Sequence, residues 1–204
     1  MSDPNVLTCP AALLLDMDGT ITEPMLDFPL IKRQMGIGDQ SILEALSALP
    51  PGRRAACEAI LQEHEDHAAK HSRLNAGCRE LLDWLHSRNI RTALVTRNSR
   101  RSVDVVLARH GLSFDVLLTR EDAPPKPSPE PLWLALRRLV GATGSTKLAW
   151  MVGDGHHDIE AGIAAGIPTV WISHGQRRRF AAEPWQTVPD LAGLLGLLRR
   201  SARG

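Results

Sequence analysis

Five short apolar segments, each followed by polar residues, constrain the fold of this chain most strongly. The apolar residues in them are continuous rather than alternating, a pattern typical of strands buried on both faces of a parallel sheet. Helical spacing between the later four segments predicts the crossovers that such a sheet needs, and therefore an α/β, Rossmann-like doubly wound fold. The segments are AALLLD (11–16), RTALVT (91–96), FDVLLT (114–119), LAWMVGD (148–154) and PTVWIS (168–173).

A long segment between the first two strand-like runs interrupts this alternation. Residues 23 to about 76 contain no continuous apolar run, and their apolar side chains recur with helical spacing. The sequences GIG and PPG divide the segment, because glycine and proline end helices. We therefore predict an α/β core of residues 1–22 and 77–204, and a small helical cap of residues 23–76 inserted after the first strand.

Composition and net charge limit the classes of binding partner that we expect for this chain. The 204 residues are 43% hydrophobic, and 24 basic side chains nearly balance 23 acidic ones, for a net charge of +1. That balance provides no overall attraction to nucleic acid or to an anionic membrane, so we expect neither as a partner. The three cysteines lack disulfide or zinc spacing, and the apolar run near the amino terminus is too short for a signal peptide. We predict a cytoplasmic protein and make no prediction of its oligomeric state.

Polar residues follow four of the predicted strands at the point where each strand ends. Because ligands bind outside the carboxyl ends of the strands in an open α/β sheet, we expect these side chains to converge. They are Asp16 and Asp18 after the first strand, Thr96, Arg97 and Asn98 after the second, Lys126 after the third, and Asp154 and Asp158 after the fourth.

The chemistry of these groups predicts a phosphate site that contains a metal ion. Mg²⁺ prefers hard oxygen ligands, and Asp16 and Asp154 could supply carboxylates whose mutual repulsion the ion would offset. A carboxylate can attack phosphorus, and a second carboxyl group can protonate the leaving oxygen. Lys126 and Thr96 would steady the phosphoryl oxygens as charge develops. We therefore expect Mg²⁺ as the cofactor and a small phosphorylated metabolite as the partner.

Four short sequences, in this order, resemble the motifs of the haloacid dehalogenase-like hydrolase superfamily. They are DMDGT, the strand-ending threonine of LVTRN, KPSPEP and GDGHHD. The helical insertion lies where a C1-type cap lies in subfamily I phosphatases, such as those similar to phosphoglycolate phosphatase. The resemblance implies a hydrolase that cleaves a small phosphomonoester through an aspartyl-phosphate intermediate.

The resemblance also implies a role for each matching residue. Asp16 would be the nucleophile and a Mg²⁺ ligand, and Asp18 would be the general acid and base and a ligand through its carbonyl. The dehalogenases themselves lack the second acid, so Asp18 favours phosphoryl transfer. The phosphoryl group would be bound by Thr96 and Lys126. Of the remaining acids, Asp154 would be a ligand, and Asp158 would either bind the metal directly or support its ligands and Lys126.

Two alternative functions remain open from the sequence. A phosphomutase similar to β-phosphoglucomutase would pass the phosphoryl group to a sugar rather than to water, and only cap residues decide between the two outcomes. A non-catalytic protein that binds a phosphorylated ligand would use the same scaffold, although such proteins often lack a motif acid. Every motif acid is present here, which favours an enzyme.

Further polar residues have competing interpretations. Arg97 and Asn98 would either contact the substrate or only form the loop that enters a helix. His64, His67 and His71 share one helical face, but their charged neighbours favour a solvated cap surface over a metal site. In the cap, Lys32 and Arg33 are candidates for an acidic substrate such as phosphoglycolate. In the core, the basic run QRRRF (176–180) is expected to be a solvated loop, and the alternative is that it adds positive potential near an anionic substrate.

Overall fold

The computed structural model describes residues 8–141 and 146–202, and six short strands form one parallel sheet within them. The strands are β1 (Ala12–Leu15), β2 (Arg91–Val95), β3 (Val116–Leu118), β4 (Ala149–Gly153), β5 (Thr169–Ile172) and β6 (Gln186–Val188). Their order across the sheet is β3-β2-β1-β4-β5-β6, and every neighbouring pair is parallel. The predicted α/β doubly wound architecture is confirmed. The edge strand β6 was not predicted.

Eight α-helices accompany the sheet in the described part of the chain. They are α1 (Phe28–Met35), α2 (Ile42–Ala48), α3 (Pro51–His71), α4 (Cys78–Ser87), α5 (Arg100–His110), α6 (Glu130–Val140), α7 (His156–Ala165) and α8 (Leu191–Ser201), and a 3₁₀ turn (Thr146–Leu148) precedes β4. No helix within residues 8–141 and 146–202 has both the length and the apolar character needed to cross a membrane.

Both faces of the sheet are buried, which explains the continuous apolar runs. In β1, Leu13 and Leu15 belong to the apolar cluster that includes α4, α5 and α8, whereas Leu14 belongs to the cluster formed with α6 and α7. Successive side chains of a strand point to opposite faces, so a strand covered on both sides must be apolar throughout. The apolar run of β1 therefore ends at Leu15, and the polar residues begin with Asp16.

The first three helices after β1 form an apolar cluster of their own. Its buried members come from α1, α2 and α3. They are Ile31, Met35, Ile42, Leu46, Cys57 and Leu61. The three predicted helices of this segment are confirmed, and α3 also packs against α5. The division into a core and a cap of residues 23–76 is still a proposal, and we use "cap" for that segment.

Candidate active site

The strand ends bring all eight predicted site residues to one cavity. Asp16 follows β1, Thr96 follows β2 and Asp154 follows β4, and these three strands are adjacent in the order β2-β1-β4. The cavity measures about 730 Å³ and lies between the ends of the strands and the cap. Its lining includes Asp16, Asp18, Thr96, Arg97, Asn98, Lys126, Asp154 and Asp158.

Lys126 occupies the centre of the candidate site. Its side chain is 1% exposed, and its Nζ donates hydrogen bonds to Asp16 Oδ1 at 2.7 Å, to Asp158 Oδ1 at 2.5 Å and to the Val95 carbonyl at 2.6 Å. Burial alone would lower the pKa of Lys126, but the Asp158 and Asp16 carboxylates outweigh burial and raise it above its usual value. The lysine therefore stays charged although it is buried.

Three carboxylates converge beside this lysine. Asp16, Asp154 and Asp158 each place one oxygen within 4.8 Å of the other two. Burial, followed by repulsion from Asp158, raises the pKa of Asp154 to about 6 and raises that of Asp16 well above its usual value. Such a cluster of hard oxygen atoms has an excess of negative charge that a divalent cation would offset, so the donor set fits Mg²⁺.

Two glycines create the space that these carboxylates occupy. Gly19 has a φ of +76°, and a Cβ built there would lie 2.2 Å from Asp154 Oδ2. A Cβ on Gly153 would lie 2.2 Å from Asp158 Cγ. Real atoms never approach so closely, and the positive φ of Gly19 disfavours other residues as well. Steric exclusion thus explains why glycine occupies these positions in the first and fourth motifs.

Asp18 points away from the three-carboxylate cluster. Its Oδ2 accepts a hydrogen bond of 2.5 Å from Asn98 Nδ2. Burial raises the pKa of Asp18 to about 6, against the effect of the Asn98 hydrogen bond, and the nearby Glu65 raises it further. A carboxyl group with this pKa can carry a proton near neutral pH, as a general acid must. Asp16 and Asp18 therefore have different surroundings although they are two residues apart.

The loop after β2 supplies three neighbouring groups with separate contacts. Thr96 is 5% exposed, and its Oγ1 accepts a hydrogen bond of 3.2 Å from the Asn98 backbone N–H. Arg97 donates to Glu44 Oε2 of α2 at 2.8 Å and to the Lys126 carbonyl. Arg97 thus connects the cap with the loop that carries the central lysine, a contact that the sequence did not indicate.

Glu65 is a site residue that sequence reasoning missed. It lies in the charged run of α3 that we predicted to be solvated, and this prediction is wrong for Glu65, which is 3% exposed. It forms an ion pair with Arg120 and accepts a hydrogen bond of 2.9 Å from Ser99 Oγ. Its spacing of four residues from the buried Leu61 and Ala69 places it on the apolar face of α3, and that spacing was the available signal.

The histidines have structural contacts. His157 Nε2 forms a hydrogen bond of 2.9 Å with Ser41 Oγ of the cap, and burial followed by the positive charge of Arg97 lowers the pKa of His157 to about 4. His64 contacts Gln34 at 2.6 Å, and His71 contacts the carbonyl of His67. Within the described ranges, the ligand atoms of His64, His67 and His71 do not converge on a metal-sized site.

The basic residues considered for substrate binding differ in whether they line the cavity. Lys32 lines the cavity, but its Nζ donates a hydrogen bond of 2.7 Å to the Asp39 carbonyl. Arg33 is exposed and is not part of the lining. Arg178, from the run predicted to be a solvated loop, is exposed as predicted and also lines the cavity.

Comparison with known proteins identifies the family of the chain. Residues 30–172, more than half of the chain, match the model of the family described as "Haloacid dehalogenase-like hydrolase". The chain therefore belongs to this family. The matched segment contains Thr96, Lys126, Asp154 and Asp158, and it begins after Asp16 and Asp18.

Individual relatives carry the names of phosphatases and pyrophosphatases. The pyrophosphatase PpaX of Halalkalibacterium halodurans is 30% identical over 78% of this chain and 77% of its own length. The N-acetylmuramic acid 6-phosphate phosphatase of Pseudomonas putida is 29% identical over 80% and 83%. Other matches are partial: the chain spans just over half the length of a hydrolase domain-containing protein of Arabidopsis thaliana and of a Bacillus velezensis PpaX.

A solved structure shows the same fold. A hydrolase from Pseudomonas syringae superposes with a TM-score of 0.78 and 17% identity, over 94% of this chain and 99% of that one. At this identity the likeness concerns the fold alone.

Proposed function

We propose that the protein is a Mg²⁺-dependent phosphatase that hydrolyses a small phosphomonoester through an aspartyl-phosphate on Asp16. The observation that carries this proposal is the contact of Lys126 Nζ with both Asp16 and Asp158, in a cluster that Asp154 completes. It supplies a nucleophile, a fixed positive charge for phosphoryl oxygens and a donor set that suits a divalent cation. The relatives named as phosphatases support hydrolysis rather than transfer to a sugar.

Asp16, Asp154 and Asp158 would hold the Mg²⁺ ion, with Asp18 contributing its carbonyl as the family resemblance implies. When bound, the ion would offset the clustered negative charge, keep Asp16 ionised and neutralise charge on the phosphoryl group. The raised pKa values of Asp16 and Asp154 support this assignment, because they express a charge that the surrounding protein leaves poorly compensated.

The reaction would proceed in two displacements. In the first, an Asp16 oxygen attacks phosphorus, the bond from phosphorus to the leaving oxygen breaks, and Asp18 delivers its proton to that oxygen. In the second, Asp18 accepts a proton from water, which attacks phosphorus and breaks its bond to Asp16. Inorganic phosphate is released and both carboxyl groups return to their first state. Lys126 and Thr96 would bind phosphoryl oxygens in both displacements.

Exchange of one carboxylate tests the proposal. We expect Asp16→Asn to reduce hydrolysis of p-nitrophenyl phosphate by roughly 10³-fold or more, because an amide cannot form the intermediate. Removal of divalent cations with EDTA should have a comparable effect that added Mg²⁺ reverses. Thermal unfolding of the variant would show that the fold is retained.

Asp39→Asn serves as the matched control, because Asp39 is an exposed cap residue that contributes only its carbonyl to a hydrogen bond. It should keep the wild-type rate. An Asp16→Asn variant as active as the wild-type protein, or activity indifferent to EDTA, would refute the proposed function.

A further inference from the structure

The wall that the cap contributes to the cavity is largely apolar. The cavity, at about 730 Å³, is far larger than a phosphoryl group, so most of it faces the leaving group of the substrate. The apolar residues that line it from the cap are Pro24, Leu26, Phe28, Ile42, Leu43 and Leu61.

Part of this wall is apolar surface left open to solvent. Phe28, the first residue of α1, is 49% exposed although it is a large aromatic side chain. Leu43 of α2 is half-buried. Exposed apolar surface grouped beside a catalytic cluster is typical of a surface that binds a ligand.

The polar groups on the same wall already have protein partners. Ser41 contacts His157, Glu65 pairs with Arg120, and Lys32 donates to the Asp39 carbonyl. A polyol bound against the apolar part of this wall would lose hydrogen bonds of its hydroxyls to water, and of the groups discussed above only the remaining donors of Lys32 and the exposed Arg178 would replace some of them. Each hydrogen bond that is not replaced costs free energy.

We propose that the substrate is a phosphomonoester of a predominantly apolar alcohol, such as an aryl or cycloalkyl group, rather than a sugar phosphate or pyrophosphate. This inference rests on the proposed phosphatase function and adds the class of leaving group. The core end of the cavity binds the phosphoryl group, and the apolar wall removes the leaving group from water. It departs from our expectation of an acidic substrate such as phosphoglycolate.

Two substrates of equal shape test the inference. Cyclohexylmethyl phosphate and glucose 6-phosphate each carry phosphate on a primary alcohol attached to a six-membered ring, and they differ in their hydroxyls. We expect kcat/KM to be at least about tenfold higher for cyclohexylmethyl phosphate, because its ring buries apolar surface. Pyrophosphate, as a third substrate, should be slower than the cyclohexyl ester.

Variants connect the preference to the cap wall. Phe28→Asn and Leu43→Asn should each reduce kcat/KM for the cyclohexyl ester severalfold without an equal loss for glucose 6-phosphate, so that the ratio of the two values falls, whereas Phe28→Leu should retain the preference. Ile163→Asn is the control, because Ile163 is 41% exposed on α7 and does not line the cavity.

Equal rates for the two esters, or faster hydrolysis of glucose 6-phosphate or pyrophosphate, would overturn the inference while leaving the proposed function intact. Inactivity towards every phosphate ester would instead refute the proposed function. In that case calorimetry with the matching phosphonates, which cannot be hydrolysed, decides the inference: tighter binding of the cyclohexyl compound supports it, and equal or weaker binding overturns it.

Discussion

The raised pKa of Asp154 shows that the candidate site disfavours the ionised form of its own carboxyl group. The carboxyl group is largely buried next to Asp158, and burial followed by that repulsion raises its pKa from the usual 3.8 to about 6. An acid whose pKa is raised by folding binds its proton more tightly in the folded state, so ionising it costs stability. The cost is absent below about pH 4, grows as the pH rises towards 6 and is complete above it.

We predict that Asp154→Asn stabilises the metal-free protein at pH 7. An amide carries no charge in this position, so the free energy of unfolding in EDTA should rise by roughly 2 kcal/mol at pH 7 and change little at pH 4. The same variant should lose most of the increase in Tm that Mg²⁺ produces in the wild-type protein.

Thermal unfolding at both pH values, with EDTA and with Mg²⁺, measures these changes. The exposed Asp39→Asn should behave as wild type in all four conditions. Lower stability of Asp154→Asn than of wild type in EDTA at pH 7 would contradict this account of the charge.

Side chains that follow a strand are the part of the site that sequence reasoning predicts well. Asp16, Thr96 and Asp154 are each placed by the end of a strand, and a strand end is readable from an apolar run. For Glu65, the spacing from Leu61 and Ala69 indicates burial, but its partners Arg120 and Ser99 are distant in sequence and close only in the folded chain. No local pattern reports that pairing.

At the scale of elements, α3 connects the cap with the loops around the site. Glu65 lies on this helix, and its partner Ser99 is the N-cap of α5. Its other partner, Arg120, donates its backbone N–H to the Asn98 carbonyl, and the Asn98 side chain contacts Asp18. The buried carboxylate of Glu65 thus supports the loop after β2, and the Asn98 side chain of that loop contacts Asp18, the proposed general acid.

Separate substitutions of two neighbouring acidic residues of α3, Glu65 and Asp66, test this connection. Glu65→Ala should lower the free energy of unfolding by roughly 3 kcal/mol, because Arg120, which is 19% exposed, then keeps only its longer ion pair with Glu121 at 3.9 Å. Asp66→Ala removes the ion pair with the exposed Arg101 on the same pair of helices, and should cost less than about 1 kcal/mol.

Urea denaturation of both variants measures the difference. Equal losses in the two variants would show that the position of Glu65 in the interior has no special importance.

Most elements were predictable because burial on both faces leaves a continuous apolar pattern. β6 was missed for the opposite reason: it is an edge strand of three residues, of which only Val188 is buried. α7 begins at His156, directly after Gly155, whose backbone N–H bonds to Asp158 Oδ2 in the first turn. Short or capped ends depend on such contacts more than on local propensity.

In the whole molecule, the last elements of the described chain complete the core. β6 pairs with β5, and α8 packs against α4 beneath the sheet. Leu194 and Leu198 of α8 are fully buried in the same apolar cluster as Leu13 and Leu15 of the central strand. The strand that positions Asp16 therefore shares its packing with the end of the chain.

We predict that Leu194→Ala lowers the free energy of unfolding by about 2–5 kcal/mol, because the substitution leaves a cavity in the main cluster. Leu148→Ala is the matched control: Leu148 is 49% exposed, and its loss should cost less than about 1 kcal/mol. Urea denaturation decides, and a Leu194→Ala protein as stable as the control would refute the role of α8 in the core.

The two close approaches of Gly19 and Gly153 to the carboxylates bear on how this family could lose its chemistry. An alanine at Gly19 would occupy the position of the Asp154 carboxylate and leave the apolar clusters untouched. A descendant of this chain could therefore keep every acid, keep its fold and still be inactive. In this chain, the loss of Gly19 would therefore disrupt the three-carboxylate cluster, as the loss of an acid would.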